Sequence, residues 1–210
     1  GEKKIRDAIA YARVWESKTK AQKSKLLFMH DVVAKFIDDL GTGEPLLKIG
    51  LPEVDNAIGG GAMPGEMVII AGRPSHGKTA VGMQAIESLS ASVPVLMISE
   101  EMSAVALAQR TLCGITSIPT EEWAQQKDVL HCDAVEHFGN RKFYFIAESC
   151  GTVERAVEVI AEAKEKHSIG AAVVDYVQLL RGKGTSRYEQ VSDVSTRLKQ
   201  AAVKYGIVLL

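Results

Sequence analysis

Short apolar runs alternate with longer amphipathic stretches from residue 67 to the end of the chain. The short runs, rich in strand-forming residues, predict strands at 67–71, 95–99, 143–147, 171–175 and 207–210. The amphipathic stretches predict helices at 78–90, 103–112, 121–137, 153–166 and 188–204. Because strands that alternate with helices are typical of βαβ units, we predict an α/β fold with a mostly parallel, twisted sheet flanked by helices.

Residues with strong capping preferences mark several predicted helix ends. A hydroxyl side chain just before a helix accepts hydrogen bonds from first-turn amides, and glycine adopts the left-handed conformation in which many helices end. The residues expected to cap helix N-termini are Ser103, Thr120 and Thr152. The glycines expected to end helices are Gly114, Gly139 and Gly170.

The first 66 residues follow a different pattern. A stripe of apolar residues at helical spacing predicts a short amphipathic helix before Gly41. The stripe consists of Val32, Val33, Phe36, Ile37 and Leu40. A weaker stripe at 5–12 precedes it, and the basic stretch "SKTKAQKSK" between the two is expected to be a hinge or linker. Because so short a helix cannot bury its own apolar face, we expect it to pack on the main domain or on another subunit.

The α/β pattern begins at residue 67, and the residues before it are organised differently. The last predicted strand runs to the final residue of the sequence. We therefore expect the C-terminal part of the domain to lie beyond the sequence given.

Composition narrows the class of protein. With 210 residues, 46% of them hydrophobic, the chain can bury a substantial core. Its apolar runs are far shorter than the roughly 20 residues of a membrane-spanning helix, and residues 1–25 do not resemble a secretory signal, so we do not expect export. Three cysteines fit neither a disulfide framework nor a zinc site, which predicts reduced intracellular thiols. The net charge of −1 excludes a uniformly basic nucleic-acid binder.

The first predicted strand stops abruptly at "GRPSHGKT". This stretch matches the P-loop pattern G-x-x-x-x-G-K-[ST], placed between a strand and a helix as the pattern requires. Loop amides and the start of the helix would converge on phosphate oxygens, Lys78 would reach the β- and γ-phosphates, and the hydroxyl of Thr79 would ligate Mg²⁺. The residues predicted to bind the nucleotide are Gly72, Arg73, Pro74, Ser75, His76, Gly77, Lys78 and Thr79.

Carboxylates follow two other predicted strands. The run "AAVVD" ends in Asp175, which is expected to help hold Mg²⁺ beside the P-loop. The run "VLMIS" leads into Glu100 and Glu101, either of which could activate the attacking water as a general base. Both could equally be first-turn acids that favour a helix dipole, and the pattern alone leaves this choice open.

Three stretches can be read together: "RPSHGKT", "ISEEMS" and "VVDYVQLLRGKGTSRYEQVSDVSTRLKQAA". They resemble the C-terminal ATPase domain of hexameric replicative DNA helicases of the DnaB type, within the RecA-like superfamily of P-loop NTPases. The likeness spans about residues 29–210 in consistent order, which implies a linker helix region at 1–28 and a RecA-like ATPase domain at 29–210. It departs from the family pattern at His76, often a methionine there, and at Glu100, usually apolar.

The resemblance assigns roles to individual residues. It nominates Glu101 over Glu100 as the catalytic base, assigns a catalytic part to Lys78, and makes Asp175 the aspartate linked to Mg²⁺. Gln178 falls on a position that could link the nucleotide site to DNA-contacting loops.

The resemblance also implies a function and partners. It implies an ATP-dependent replicative DNA helicase that moves along single-stranded DNA and unwinds duplex, with ATP and Mg²⁺ as ligands. A homo-hexameric ring, primase, a helicase loader and a cytoplasmic, nucleoid-associated location belong to the same expectation. In the family the arginine finger and the main DNA loops follow the strand that ends here at Leu210.

A basic segment follows the strand predicted at 171–175. Residues 181–204 carry six Lys or Arg against two acidic residues, a net charge of +4, and the glycine-rich part "RGKGTSR" is expected to be mobile enough to follow a DNA strand. The residues assigned to DNA contact are Arg181, Lys183 and Arg187. Arg197 and Lys199 could equally serve a subunit contact.

Two other interpretations stay open at this point. A RadA- or KaiC-like ATPase of recombination or regulation shares the glycine-rich entry and the P-loop, although the four-cysteine module of RadA-like proteins has no counterpart here. A non-catalytic, nucleotide-gated assembly module is the second. The joint presence of Lys78, Thr79, Glu101 and Asp175 speaks against it, because a degenerate site would be free to lose them.

Overall fold

The computed structural model describes residues 29–38, 46–73, 75–116, 118–139, 141–145 and 149–210. The chain forms two compact units, Gly1–Glu44 and Pro45–Leu210. In the first unit, helix α1 spans Met29–Asp38 where the apolar stripe predicts it, and Met29, Val33 and Ile37 are exposed. The weaker stripe, the basic stretch and Leu40 lie outside the described residues. The domain boundary after residue 28 and the packing of the stripe therefore stay predictions.

The second unit is built on a parallel sheet, in which the described residues form four strands. These are β1 (Val95–Ser99), β2 (Phe143–Phe145), β3 (Ala171–Asp175) and β4 (Val208–Leu209), in the order β2-β1-β3-β4. The ladder between β1 and β3 runs from Val95 beside Ala171 to Ser99 beside Asp175. Because the strands are parallel, their carboxyl ends meet at one edge, and the residues after Ser99 lie next to Asp175.

Helices connect the strands. They are α2 (Pro52–Ala57), α3 (Lys78–Ser90), α4 (Ala104–Ile115), α5 (Lys127–Phe138), α6 (Val153–His167) and α7 (Arg187–Tyr205). Short 3₁₀ turns lie at Thr120–Glu122 and Val177–Leu179. The helix predicted at 121–137 is thus two elements, a 3₁₀ turn and α5. Within the described ranges, every helix is too short or too polar to cross a bilayer.

Alternate strand residues face two hydrophobic cores. Leu96 and Ile98 of β1 belong to a core that they share with buried residues of α6 and α7. Val95 and Met97 belong to a second core, shared with buried residues of α3 and with Leu107 of α4. Since successive strand side chains point to opposite faces, the continuous apolar run of β1 is buried on both sides, as expected for a parallel sheet flanked by helices.

The strand predicted at 67–71 is present only at its first residue. Met67 forms a single parallel bridge with Leu209 of β4. Val68 N donates to Leu209 O at 2.8 Å, and Leu209 N donates to Glu66 O at 2.9 Å. Because β4 is only two residues long, it offers a ladder partner to the start of this segment alone. The following residues leave the ladder and lead into the P-loop.

Two of the three residues predicted to cap helix N-termini do so. Ser103 caps α4 by accepting from Ala106 N at 3.2 Å, and Thr152 caps α6 by accepting from Arg155 N at 3.3 Å. Thr120 is not a cap, because it lies inside the 3₁₀ turn that follows Pro119.

The three glycines predicted to end helices behave differently. Gly139 follows α5 as expected, and its amide donates to Val135 O at 2.8 Å. Gly114 lies inside α4, and Gly170 is not the residue that ends α6. Ser168, with a φ of 53°, takes the left-handed position there.

The segment before the P-loop supports helix α3 from outside. Leu47 pairs with Ala62 in an antiparallel bridge, and the buried carboxylate of Asp55 accepts from Ile49 N at 2.7 Å. The segment reaches α3 through two hydrogen bonds, from Gln84 Nε2 to Gly50 O and from Ser88 Oγ to Lys48 O, both at 2.9 Å. The helix that begins at the P-loop lysine is thereby held between this segment and the sheet.

Candidate functional site

The predicted P-loop turns the chain tightly from the sheet edge into α3. Ser75 and Gly77 have φ angles of 64° and 80°, in the left-handed region that glycine adopts most readily. His76 N donates to Arg73 O at 3.2 Å inside the turn. Gly72, Ser75 and Gly77 line a cavity of about 1480 Å³. Pro74 lies outside the described residues.

The first turn of α3 presents backbone amides to this cavity. Gly77 is the N-cap, no described side chain caps the helix, and its first turn carries no acidic residue. The first helical hydrogen bond runs from Val81 N to Gly77 O at 2.9 Å, so the amides of Lys78, Thr79 and Ala80 have no partner within the helix. An uncapped N-terminus at the positive end of the helix dipole attracts an anion, and phosphate is the group that the motif predicts there.

Lys78 lies against the loop through weak contacts. Its Nζ atom is 3.3 Å from Gly72 O and from Arg73 O, and 5.8 Å from the centre of the Tyr176 ring. Both hydrogen bonds are longer than the usual 2.7–3.2 Å, and the ring contact lies near the limit for a cation–π interaction. A phosphate oxygen could replace these contacts with a stronger, charge-assisted hydrogen bond.

Asp175 ends β3 with a buried carboxylate. Asp175 is only 7% exposed, and its Oδ2 atom has no hydrogen-bond partner among the described residues. A buried carboxylate oxygen without a partner is unfavourable, and a hard cation that prefers oxygen ligands would compensate it. Thr79 lines the same cavity. Asp175 and Thr79 therefore fit the Mg²⁺ site predicted for them.

The two glutamates after β1 have different surroundings. Glu100 accepts hydrogen bonds from the 149–151 turn, at 2.8 Å from Cys150 N and 3.1 Å from Gly151 N, and also from the Ser149 hydroxyl. Glu101 is exposed and lines the cavity, whereas Glu100 does not. The geometry thus favours Glu101 over Glu100 as the carboxylate available to a reacting nucleotide.

The environment of Glu100 also affects a thiol. Burial, followed by the negative charge of Glu100, raises the pKa of Cys150 to about 11. All three cysteines are free thiols, with Cys113 and Cys132 exposed and Cys150 buried.

Three further side chains line the cavity next to the P-loop residues. Gln178, in the 3₁₀ turn after β3, is one of them, and its backbone carbonyl oxygen accepts from the guanidinium of Arg187. Tyr176 and Arg110 also line it, although the sequence interpretation gave neither a role. Tyr176 stands beside Asp175 in the motif and could have been found from that position, whereas nothing in the sequence around Arg110 marks it.

The 181–186 loop is tied to the first turn of α7. Ser186 caps the helix, and the Glu189 carboxylate accepts from Thr185 N at 2.8 Å and Ser186 N at 3.0 Å. These hydrogen bonds, led by the one from the Ser186 backbone, hold the pKa of Glu189 at about 2. At Gly184, with a φ of 130°, an added Cβ would lie 2.4 Å from Glu189 Cβ. Glycine permits this close packing, so its presence here is not by itself a sign of mobility.

The basic residues assigned to DNA contact are exposed on this loop and at the start of α7. Lys183 is exposed, and its backbone amide donates to Asp193 Oδ2 at 2.8 Å. Arg197 has other partners, at 3.1 Å from Asp193 and 2.5 Å from Glu154. Lys199 Nζ donates to Gly65 O at 2.8 Å. Both side chains thus make contacts inside the second unit.

The fold and the site together define a P-loop nucleotide-binding domain with a parallel sheet. The family model of the DnaB-like helicase C terminal domain matches residues 47–210, so the chain belongs to this family. This match does not favour the RadA- or KaiC-like interpretation or the non-catalytic one.

Two relatives illustrate the likeness in sequence. The replicative DNA helicase DnaB of Helicobacter pylori is 33% identical over 172 residues, which cover 77% of this chain and 35% of the relative. The replicative DNA helicase DnaB of Pasteurella multocida is 30% identical over 162 residues, which cover 71% of this chain and 35% of the relative. The chain thus spans about a third of the length of these relatives.

Two solved structures illustrate the likeness in fold. A DnaB-like replicative helicase, studied with its primase interactions, superposes with a TM-score of 0.69 at 20% identity, over 98% of this chain and 56% of that one. A second solved structure, of an ATPase domain, superposes with a TM-score of 0.74 at 21% identity, over 87% of this chain and 69% of that one. At such low identity these structures support the RecA-like α/β fold alone.

Proposed function

We propose that this chain is the ATP-hydrolysing motor domain of a replicative DNA helicase. The observation that carries the proposal is the buried, unpartnered Oδ2 of Asp175, in the same cavity as the uncapped start of α3. An anion-binding helix end beside an unpaired buried carboxylate fits a polyphosphate together with a divalent cation. Membership of the DnaB-like helicase family supplies the reaction class.

Each residue of the site has a chemical task in this proposal. The amides of Lys78, Thr79 and Ala80 and the Lys78 ammonium bind phosphate oxygens and neutralise their charge. Thr79 and Asp175 would hold Mg²⁺, which would supply positive charge to neutralise the phosphates. Glu101, exposed in the cavity, accepts the proton of the attacking water. Gln178 lines the cavity and is hydrogen-bonded to Arg187, and these two contacts support a role for it in linking the nucleotide site to DNA contact.

DNA binding is assigned to the exposed basic loop. Arg181, Lys183 and Arg187 stand on one short segment, and such a cluster binds phosphates without reading sequence. Replicative helicases surround the strand they move along, so we propose a homo-hexameric ring of the protein that contains this chain. Primase and a helicase loader are its proposed partners. The proposed location is the cytoplasm, in association with the nucleoid.

Substitutions at Lys78 and Glu101 separate nucleotide binding from hydrolysis. Lys78→Ala removes a charge-assisted contact to phosphate and is expected to weaken binding of a fluorescent ATP analogue with Mg²⁺ about 10- to 100-fold. Glu101→Gln keeps the size of the side chain and loses the base. We expect it to bind within about 3-fold of the unaltered protein while ATP turnover falls by about 10²- to 10⁴-fold. Glu165→Gln, at an exposed position of α6 outside the cavity, is the matched control and leaves both quantities unchanged.

Each outcome bears on a different part of the proposal. Normal turnover in Glu101→Gln contradicts the assignment of the base, and unchanged nucleotide affinity in Lys78→Ala contradicts the phosphate site. Strand displacement on a forked duplex, with ATP and Mg²⁺ and the full-length protein, tests the helicase function. Turnover stimulated by single-stranded DNA without displacement favours a recombination ATPase instead. Nucleotide binding without any turnover favours a nucleotide-gated assembly module.

A further inference from the structure

Glu100, the first residue after β1, is held by its backbone and by its side chain. Its amide donates to Asp175 O at 2.8 Å and so extends the β1–β3 ladder by one residue. Its two carboxylate oxygens accept from three donors of the 149–151 turn: Cys150 N, Gly151 N and the Ser149 hydroxyl. Hydrogen bonds to an ionised carboxylate are about twice as strong as neutral ones. Glu100 therefore joins the end of β1 firmly to this turn.

The 149–151 turn is itself anchored to the next part of the domain. Gly151 O accepts from Arg181 N at 3.0 Å, and Val153 N donates to Arg181 O at 3.1 Å. The following residue, Thr152, caps α6. The carboxylate of Glu100 is thus bound to a segment that is fixed at the start of a 15-residue helix, which makes a rigid support for the end of β1.

Glu101, by contrast, has no hydrogen-bond partner of its own among the described residues. Its position depends on its neighbours: Glu100 on one side, and Met102 on the other, whose amide donates to Ser99 Oγ at 3.1 Å. Of the two carboxylates, only that of Glu101 lines the cavity. An exposed side chain on a short bend loses precise placement when the bend is released.

We propose that Glu100 is a positioning residue, which clamps the carboxyl end of β1 to the 149–151 turn and thereby holds Glu101 toward the nucleotide. The proposal rests on the function proposed above, since it gives Glu100 a role only through Glu101. Glu100 itself touches no reacting atom. Its contribution is the placement of the base at the distance that proton transfer requires.

Turnover and binding in Glu100 variants of the full-length protein test this proposal. Glu100→Ala removes the clamp and is expected to lower kcat for ATP by about 10- to 100-fold, with the nucleotide Kd changed by less than about 3-fold. Glu100→Gln keeps one acceptor oxygen for the Cys150 amide. Its kcat is therefore expected to lie between that of Glu100→Ala and that of the unaltered protein. Gly170→Ala, which disturbs packing away from the cavity, controls for loss of stability and leaves kcat unchanged.

A double-mutant cycle provides the decisive readout. If Glu100 acts through Glu101, then Glu100→Ala lowers turnover no further once Glu101 is already Gln, because the base that it positions is gone. If the double variant Glu100→Ala/Glu101→Gln loses turnover by the product of the two single losses, the proposal is contradicted. A kcat in Glu100→Ala equal to that of the unaltered protein contradicts it as well. A kcat lowered equally in Gly170→Ala also contradicts it, since stability alone would then explain the loss. By contrast, normal turnover in Glu101→Gln alone contradicts the proposed base itself, and with it the role of Glu100.

Discussion

Single ionisable residues near the site report on its electrostatics, and Cys150 is the clearest case. Its thiol is buried beside the carboxylate of Glu100, and its pKa lies at about 11 instead of the ordinary 9.0. Burial contributes most because it disfavours the thiolate, and the adjacent negative charge adds to the effect. As pH rises, the unfolded chain loses this proton first. The stabilising contribution of the protonated thiol is therefore complete below pH 9 and is lost as pH rises toward about 11.

Alkylation of Cys150 measures this shift directly. With Cys113 and Cys132 replaced by Ser, we expect the rate of reaction with iodoacetamide, followed by mass spectrometry, to rise with a midpoint near pH 11. Glu100→Gln removes the negative charge and should move the midpoint to lower pH while burial keeps it above 9.0. A midpoint at 9.0 in the protein that retains Glu100 would show that neither burial nor Glu100 acts on the thiol.

The contrast between Glu100 and Glu101 shows what a sequence can reveal about a site. Lys78, Thr79 and Asp175 are recognisable because their chemistry follows from a short pattern next to a strand. The choice between the two glutamates needed either the resemblance or the structure. The donors that occupy Glu100 lie about 50 residues along the chain, and no local pattern connects Glu100 to the 149–151 turn.

At the scale of elements, periodicity was a better guide than isolated glycines. The helix at 78–90 and the strands at 95–99 and 171–175 have the predicted bounds. Both strands are buried along their whole length, and the helix shares a hydrophobic core with them. The 67–71 run has the same composition, but strand formation also needs a paired neighbour, and β4 pairs only its beginning. Gly114 and Gly170 were assigned to helix ends by residue type, although the two lie in different environments.

Alanine substitutions at these two glycines should have opposite effects on stability. A Cβ at Gly170 would lie 2.6 Å from Val93 Cβ, so Gly170→Ala must displace packed atoms and is expected to lower the free energy of unfolding by about 1–3 kcal/mol. A Cβ at Gly114 would have nothing within 4 Å. Gly114→Ala is therefore expected to raise the free energy of unfolding by about 0.5 kcal/mol, the usual gain within a helix.

Urea denaturation of the two variants measures both effects. Equal midpoints for Gly114→Ala and Gly170→Ala would mean that the contact with Val93 does not decide why glycine occupies position 170. A stabilised Gly170→Ala would contradict the close approach itself.

At the scale of the whole molecule, the proposed nucleotide site lies within one of the two units. Every described residue that lines its cavity lies between Met67 and Leu210, inside Pro45–Leu210. The family match begins at residue 47, close to the boundary between the units. The resemblance implies a domain start at residue 29, which stays a prediction. An amphipathic stripe signals that burial is required, but it does not say which unit provides the partner.

Two N-terminal deletions test this division. Removal of residues 1–44 leaves the whole second unit, so we expect binding of a fluorescent ATP analogue with Mg²⁺ to stay within about 3-fold, as a 3-fold change is well under 1.4 kcal/mol. Removal of residues 1–50 also takes away Leu47 and Ile49, which are 5% and 0% exposed, and the backbone acceptors of Gln84 and Ser88. At about 1.5–3 kcal/mol for each buried side chain, this longer deletion should lower the free energy of unfolding by about 3–6 kcal/mol.

Loss of nucleotide binding in the shorter deletion, with its helix content intact by circular dichroism, would show that residues 1–44 contribute to the site. Equal stability of the two shortened chains would show instead that the segment at 46–50 is not part of the core.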